Sequence, residues 1–121
     1  MKHILLVDEH ALFRQSLAYV LEHHCERPVV AQAGTLAEGL QHVEAVDVAV
    51  VDRDLPDGSS DDFVRVLRRV NPETRVVALV PVPMCNAPLT DVKADAVVSK
   101  GAGLDELLGT VAQLTVGGRR S

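Results

Sequence analysis

The sequence is organised around residues 48–58, VAVVDRDLPDG. This stretch begins with a short apolar run rich in valine and closes with proline and glycine, which predicts a buried central strand that ends in a turn. Asp52 is the first charged residue after the run. Because ligands bind at the carboxyl ends of the strands in an open parallel sheet, Asp52 is the first candidate for a functional residue.

Four further apolar runs surround this strand, and amphipathic segments separate them. The other predicted strands cover residues 4–7, 28–33, 76–80 and 96–99. Apolar residues at helical spacing predict helices from Ala11 to about His24, from a Thr35–Glu38 capping box through Val43, from Ser59 or Ser60 to Val70, before Lys93 and after Gly103. Leu12, Leu40 and Val70 are expected on the apolar faces. Strands that alternate with helices predict an α/β fold with a doubly wound parallel sheet.

Size, charge and hydropathy limit the classes of function. With 121 residues, the chain is the size of one domain. Its net charge of −5 has the wrong sign for neutralising nucleic-acid phosphates, so we expect no direct nucleic-acid binding by this domain. No apolar run approaches the roughly 20 residues that span a bilayer, and we therefore expect a cytoplasmic protein without membrane contact. Cys25 and Cys85 are expected to be reduced thiols, and the histidines are expected at helix ends.

Charged residues follow three of the predicted strands. Asp8 and Glu9 follow the first, Asp52 ends the third and Lys100 follows the fifth. If the first and third strands are neighbours, their carboxylates converge, and unit charges ~4 Å apart repel by about 4 kcal/mol at an effective dielectric of 20. A cation is therefore expected among them. Oxygen ligands with room for water favour Mg²⁺, and Lys100 would supply a fixed positive charge on the opposite side of Asp52.

The residues at these strand ends resemble the receiver domains of two-component response regulators, and the resemblance covers essentially all of residues 3–115. Residues 5–17, LLVDEHALFRQSL, are most similar to the NarL/FixJ-like subgroup, whose full-length members carry a C-terminal helix-turn-helix domain. Residues 52–58 match the family's phosphoacceptor loop, and residues 99–102, SKGA, match the block around its lysine. The resemblance implies a flavodoxin-like (βα)5 three-layer sandwich with strand order 2-1-3-4-5.

The same resemblance implies a role for each site residue. Asp52 would accept a phosphoryl group from a sensor histidine kinase. Asp8, Glu9 and Asp52, with the backbone carbonyl of Asp54, would hold Mg²⁺, and Lys100 would pair with the phosphate. The receiver domain would span residues 1–116 and would be regulatory rather than enzymatic. Residues 117–121 are expected to begin a linker towards the DNA-binding domain of a transcriptional regulator, and a homodimer is a candidate assembly.

The chain departs from the family pattern around the fourth strand. Family members place serine or threonine where this chain has Val80, and the next backbone N–H also binds phosphate, whereas Pro81 has none. Val97 replaces the aromatic residue that rotates in typical members. Arg53, where an apolar residue is usual, is either a solvated charge or a modifier of the pocket. These differences predict an atypical receiver with impaired phospho-switching, which would signal by dimer formation, by a small ligand or by a constitutive conformation.

Two other functions stay open. One is a phosphorylation-independent interaction or ligand-sensing module with a vestigial pocket. The other is a HAD-like phosphatase, of the haloacid-dehalogenase type, in which Asp52 attacks phosphate and Asp54 is the general acid. That family places its motif on the first strand, whereas Asp52 ends the third predicted strand of this chain.

Overall fold

The computed structural model describes residues 2–23, 28–80 and 94–116. Its strands are β1 (His3–Val7), β2 (Val29–Ala33), β3 (Val48–Asp52), β4 (Asp54–Leu55), β5 (Gly58–Ser59), β6 (Arg75–Val80) and β7 (Ala96–Ser99). Its α-helices are α1 (Ala11–Glu22), α2 (Leu36–Leu40), α3 (Ser60–Val70) and α4 (Leu104–Val116), and 3₁₀ turns cover Val43–Ala45 and Lys100–Ala102. The short helix predicted before Lys93, the two cysteines and residues 117–121 lie outside the described residues. No helix within the described ranges is both long enough and apolar enough to cross a membrane.

Five strands form one parallel sheet in the order β2-β1-β3-β6-β7, and β4 and β5 form a separate antiparallel hairpin. Counted along the main sheet alone, this order is 2-1-3-4-5. The central strand, β3, has all five of its residues buried, as its unbroken apolar run predicted. The flavodoxin-like, doubly wound α/β fold is therefore confirmed.

The core consists of two apolar layers, one on each face of the sheet. Successive side chains of a strand point to opposite faces, so each buried strand contributes to both layers. Leu6 and Val50 belong to the layer that also contains apolar residues of α1 and α4. Leu5 and Val51 belong to the layer that contains apolar residues of α2 and α3. Helices on both faces of a sheet give the expected three-layer sandwich.

Helix α2 begins at the predicted Thr35–Glu38 pair, in a variant of the capping box in which the Glu38 carboxylate accepts from Gly34 instead of Thr35. The Glu38 backbone N–H donates to Thr35 Oγ1 at 3.2 Å, and the Gly34 backbone N–H donates to the Glu38 carboxylate at 2.7 Å. The end of the helix was predicted wrongly, because α2 ends at Leu40 and Val43 lies in the following 3₁₀ turn.

Three apolar side chains expected in the core are exposed instead, namely Leu12 (80%), Leu40 (43%) and Val70 (47%). Leu12 precedes the buried Leu17 by five residues, which places the two side chains about 140° apart around a helix. Leu40 and Val70 are the last residues of their helices. Helix α1 also ends at Glu22, two residues before the predicted end.

Gly39 lies where α2 approaches the sheet closely. A Cβ added there would be 3.0 Å from Phe63 Cε1 and 3.2 Å from Val7 Cγ2. We predict that Gly39→Ala lowers the free energy of unfolding by about 1–2 kcal/mol, because overpacking costs ~1–3 kcal/mol and outweighs the gain in helix propensity. Urea denaturation measures this change.

Gly109 in α4 provides the matched control. A Cβ at this position would meet nothing within 4 Å. Gly109→Ala should therefore raise the free energy of unfolding by about 0.5–1 kcal/mol, as expected for an unhindered helical glycine. Equal effects of the two substitutions would contradict the packing argument.

Candidate functional site

Three parallel strands end at one edge of the sheet, where their last or following residues form a polar cluster. Val7 pairs with Val51, so Asp8 comes next to Asp52 at the ends of β1 and β3. Lys100 follows Ser99, the last residue of β7, which pairs with the end of β6. The register therefore brings the three charged residues to the same edge.

The Lys100 ammonium lies between the two carboxylates. Its Nζ is 2.8 Å from Asp8 Oδ2, 3.0 Å from Asp8 Oδ1 and 3.1 Å from Asp52 Oδ2. Each aspartate side chain is 2% exposed and that of Lys100 is 14% exposed, so solvent and salt screen these charges weakly. The structure thus brings together Asp8, Asp52 and Lys100, as the strand-end pattern predicted.

His10 is a fourth member of this cluster, and sequence reasoning missed its role. Its Nδ1 lies 2.9 Å from Lys100 Nζ, 3.2 Å from Asp8 Oδ1 and 3.9 Å from Asp52 Oδ2. The residue precedes α1 at the N-cap position, which agrees with a histidine at a helix end. Its ring nevertheless turns towards the carboxylates. The feature of the sequence that could have indicated this role is the position of His10 directly after the acidic residues 8 and 9.

Two residues in the first turn of α1 support the cluster. The Phe13 ring lies 5.0 Å from Lys100 Nζ, within the range of a cation–π contact. Arg14 donates from Nη1 to the Asp8 carbonyl at 2.6 Å and from Nε to Gln32 Oε1 at 3.1 Å. Helix α1 therefore holds the end of β1 in position and lines the lysine side chain.

Three other predicted site residues lie near the cluster. Glu9 is exposed, and in the described part of the chain it lies outside the group formed by Asp8, His10 and Asp52. Arg53 is half-buried, and its backbone N–H donates to the Leu79 carbonyl at 2.9 Å. The backbone of residue 54 begins β4, two residues after Asp52. The roles expected of these three residues stay predictions.

Val80, one of the residues at which the chain departs from the family pattern, lies at the same sheet edge, and Val97 lies two residues before the end of β7. Asp52 pairs with Leu79 of β6, and Val80 is the next residue of that strand. Val80 is 9% exposed and Val97, in β7, is 38% exposed. A side chain with only methyl groups thus occupies the position at which the family resemblance expects a hydroxyl. Pro81 lies outside the described residues.

The loop after Asp52 is connected to the start of α2. The Asp57 carboxylate accepts hydrogen bonds from the backbone N–H groups of Leu36, at 2.9 Å, and Ala37, at 3.1 Å. These bonds, that from Leu36 above all, hold the pKa of Asp57 below its ordinary value of 3.8. Gly58 follows with φ +149°, a conformation that favours glycine, and a Cβ there would lie 3.0 Å from Leu36 Cδ1.

The residues of the cluster fit a divalent cation. Among the described residues, Asp8 Oδ2 is a buried oxygen whose close neighbour is the Lys100 ammonium, at 2.8 Å. One ligand atom from each of Asp8, His10 and Asp52 lies within 4.8 Å of the others. Carboxylate oxygens are preferred ligands of Mg²⁺, so Asp8 and Asp52 are the residues suited to hold this ion.

Comparisons with known proteins agree with this geometry. The family model for the response regulator receiver domain matches residues 4–112. The response regulator TrrA from Thermotoga maritima, solved in complex with Mg²⁺ and BeF, has a TM-score of 0.80 and 25% identity, over 94% of this chain and 99% of that chain.

Two curated relatives are longer proteins. The DNA-binding transcriptional activator DevR/DosR of Mycobacterium tuberculosis is 38% identical over 78 residues, which are 63% of this chain and 36% of that protein. The transcriptional activator protein ExaE of Pseudomonas putida is 38% identical over 76 residues, which are 61% of this chain and 36% of that protein. The match to this chain thus spans about a third of the length of these relatives.

The lowered pKa of Asp57 predicts a pH dependence of stability. The ionised carboxylate contributes stability that is fully present above the unfolded value of about 3.8 and is lost as the pH falls through the lower folded value. We predict that Asp57→Asn lowers the free energy of unfolding at neutral pH, and that the gap from the wild type narrows below pH 3.8. Urea denaturation at a series of pH values measures this gap. A gap that does not change with pH would mean that the charge of Asp57 does not contribute to capping α2.

Proposed function

Because the chain belongs to the response regulator receiver domain family, we propose that Asp52 accepts a phosphoryl group from a sensor histidine kinase. The observation that carries this proposal is the position of Lys100, whose ammonium lies 3.1 Å from Asp52 Oδ2 and is also paired with Asp8. A fixed cation beside a buried carboxylate suits the arrival of phosphoryl oxygens, because charge-assisted hydrogen bonds are strong.

The residues of the cluster divide the work of phosphoryl transfer. An oxygen of Asp52 forms the bond to phosphorus as the bond from phosphorus to the kinase histidine nitrogen breaks, and that nitrogen keeps the electron pair. Lys100 pairs with the phosphoryl oxygens and offsets their charge. Asp8, Glu9 and Asp52, with the backbone carbonyl of Asp54, would hold Mg²⁺. When bound, this ion neutralises charge between carboxylate and phosphoryl oxygens.

We propose that this domain controls transcription through a DNA-binding domain in a longer protein. The NarL/FixJ-like pattern of residues 5–17 and the names of the two relatives, both transcriptional activators, support this role. In this proposal the receiver spans residues 1–116, and residues 117–121 begin the linker. The receiver itself contacts neither nucleic acid nor membrane, the protein acts in the cytoplasm, and homodimer formation is a candidate output.

We further propose that the conventional phospho-switch is weakened. A hydroxyl in place of Val80 and a backbone N–H in place of Pro81 would each bond a charged phosphoryl group, and such bonds contribute about 1.5–3 kcal/mol each. Their absence removes about 3–6 kcal/mol, although neighbouring contributions do not add strictly. This loss is comparable with the ~5.5 kcal/mol that moves a two-state equilibrium from 1:99 to 99:1. Val97 also has no ring to rotate, and Arg53 adds a cation beside the pocket.

A phosphorylation-independent interaction module is the second candidate. Lys100 already pairs with both Asp8 and Asp52, so the cluster can stabilise the fold without phosphate. The side chains at positions 80 and 97 favour this candidate as well. Receiver domains are regulatory signalling domains rather than enzymes, and we therefore favour either role over a phosphatase. Steady turnover of a phosphomonoester that is lost in Asp54→Asn would reverse this preference.

Chemical phosphorylation distinguishes the two signalling roles. We predict that acetyl phosphate with Mg²⁺ adds one phosphoryl group to the wild-type chain and none to Asp52→Asn, because the substitution removes the nucleophilic carboxylate. Intact-mass spectrometry measures the addition, and calorimetric titration measures Mg²⁺ binding.

Asp62→Asn is the matched control for this substitution. The Asp62 side chain is 73% exposed and pairs with Arg65 at 2.6 Å on the surface of α3, so this variant should be phosphorylated like the wild type. A wild-type chain that neither binds Mg²⁺ nor becomes phosphorylated would favour the interaction module.

Beryllofluoride, a phosphoryl mimic, tests the weakened switch. We predict that, with Mg²⁺, it changes the amide chemical shifts of residues 80–100 little in the wild type and more in Val80→Thr. The restored hydroxyl would contribute about 1.5–3 kcal/mol, which is a shift of about tenfold to a hundredfold in the conformational equilibrium. Val70→Thr, at the exposed end of α3, is the control that should behave as the wild type. Large changes at residues 80–100 in the wild type would refute the weakened switch.

A further inference from the structure

The Lys100 ammonium occupies a position at which three of the described residues direct an oxygen or a nitrogen atom towards it. Asp8 and Asp52 contribute oxygens at 2.8–3.1 Å from Nζ, and His10 contributes Nδ1 at 2.9 Å. The third partner is a nitrogen on a ring that the proposed phosphoryl transfer does not use. The cage around the ammonium is therefore not purely acidic.

The contact with Lys100 determines which atom His10 directs into the cage. Nδ1 lies 2.9 Å from Lys100 Nζ and 3.2 Å from Asp8 Oδ1, so this nitrogen is the ring atom that faces the cage. A neutral imidazole with a free lone pair is the form in which histidine binds metal ions.

The side chain of His10 does not stabilise the start of α1. It is 63% exposed, and it forms no capping hydrogen bond at the start of α1. The backbone N–H of His10 donates to Asp8 Oδ1 at 2.9 Å, which holds the residue beside the carboxylate independently of its ring. Loss of the ring should therefore leave the fold intact.

A second observation also points to a cation ligand at this place. Asp8 Oδ2 is buried, and its close partner among the described residues is the Lys100 ammonium, 2.8 Å away. A buried carboxylate oxygen that faces a cation is also suited to a metal ion, because carboxylate oxygens bind divalent cations. The ligand atoms of Asp8, His10 and Asp52 lie within 4.8 Å of one another, so one ion can contact all three residues.

We propose that His10 is a third protein ligand of the divalent cation, and that it makes the site select transition-metal ions such as Co²⁺ or Zn²⁺ over Mg²⁺. Mg²⁺ prefers oxygen ligands, whereas imidazole nitrogen suits first-row transition metals. This inference rests on the proposed metal pocket of Asp8 and Asp52. The inference concerns which metal ion the pocket binds. The proposal that Asp52 accepts a phosphoryl group does not depend on it.

The experiment compares two ions, because an ion that enters the cage has to move the Lys100 ammonium away from the two carboxylates. That cost is common to Co²⁺ and Mg²⁺, so the ratio of their affinities isolates the contribution of the nitrogen ligand. Each ion is titrated calorimetrically, at one fixed pH, into the wild type, His10→Ala, Asp52→Asn and the control His42→Ala. His42 is an exposed histidine beside the 3₁₀ turn of Val43–Ala45. Visible absorption of bound Co²⁺ reports on its ligands directly.

We expect His10→Ala to weaken Co²⁺ binding by about tenfold to a hundredfold and Mg²⁺ binding by less than about threefold. The Co²⁺ spectrum should change in this variant and stay unchanged in His42→Ala. Equal weakening of both ions, or an unchanged Co²⁺ affinity, would overturn the role of His10 and leave the Mg²⁺ pocket in place. Failure of the wild type to bind either ion, or binding that survives Asp52→Asn, would overturn the proposed metal pocket together with this inference.

Discussion

The structure depends on holding two carboxylates side by side at a buried edge of the sheet. Asp8 and Asp52 are each 2% exposed, and unit charges ~4 Å apart repel by about 4 kcal/mol at an effective dielectric of 20. Lys100, 92 residues after Asp8, places its ammonium within 3.1 Å of both carboxylates. The lysine thereby connects the last strand of the main sheet to the first and third. The balance of charge at this edge therefore depends on the strand order. A different order would leave the two carboxylates buried without the lysine ammonium.

Rigid elements hold these charges in place. β3 is buried on both faces, so Asp52 is the last residue of a strand that is packed on both sides. Helix α1 adds Arg14, which bonds the carbonyl of Asp8, and Phe13, which lies against the lysine. The same helix begins directly after His10, whose ring closes the cage from the exposed side. The short segment from Asp8 to Arg14 therefore contributes a carboxylate, an imidazole and the side chains that hold them in place.

The two sides of Asp52 differ in chemistry. On one side, Asp57 joins the loop after Asp52 to α2 through two hydrogen bonds from backbone N–H groups. On the other side, Val80 offers methyl groups between the ends of β3 and β7. Hydrogen bonds are directional and apolar contacts are not, so these two neighbours of Asp52 constrain their surroundings in different ways.

Local patterns in the sequence determined the five sheet strands, the capping box of α2 and the meeting of Asp8, Asp52 and Lys100 at one edge. These features follow from β-branched runs, from helical spacing and from the rule that parallel strands end together. Only the tertiary structure decided which helix faces pack against the sheet. Leu12 and Leu40 lie outside those faces and are exposed. The tertiary structure also decided that His10 turns into the acidic cage and that Asp57 caps a helix 20 residues earlier in the chain. Such contacts depend on side-chain direction and on distant segments that meet after folding, and neither is encoded in a local period.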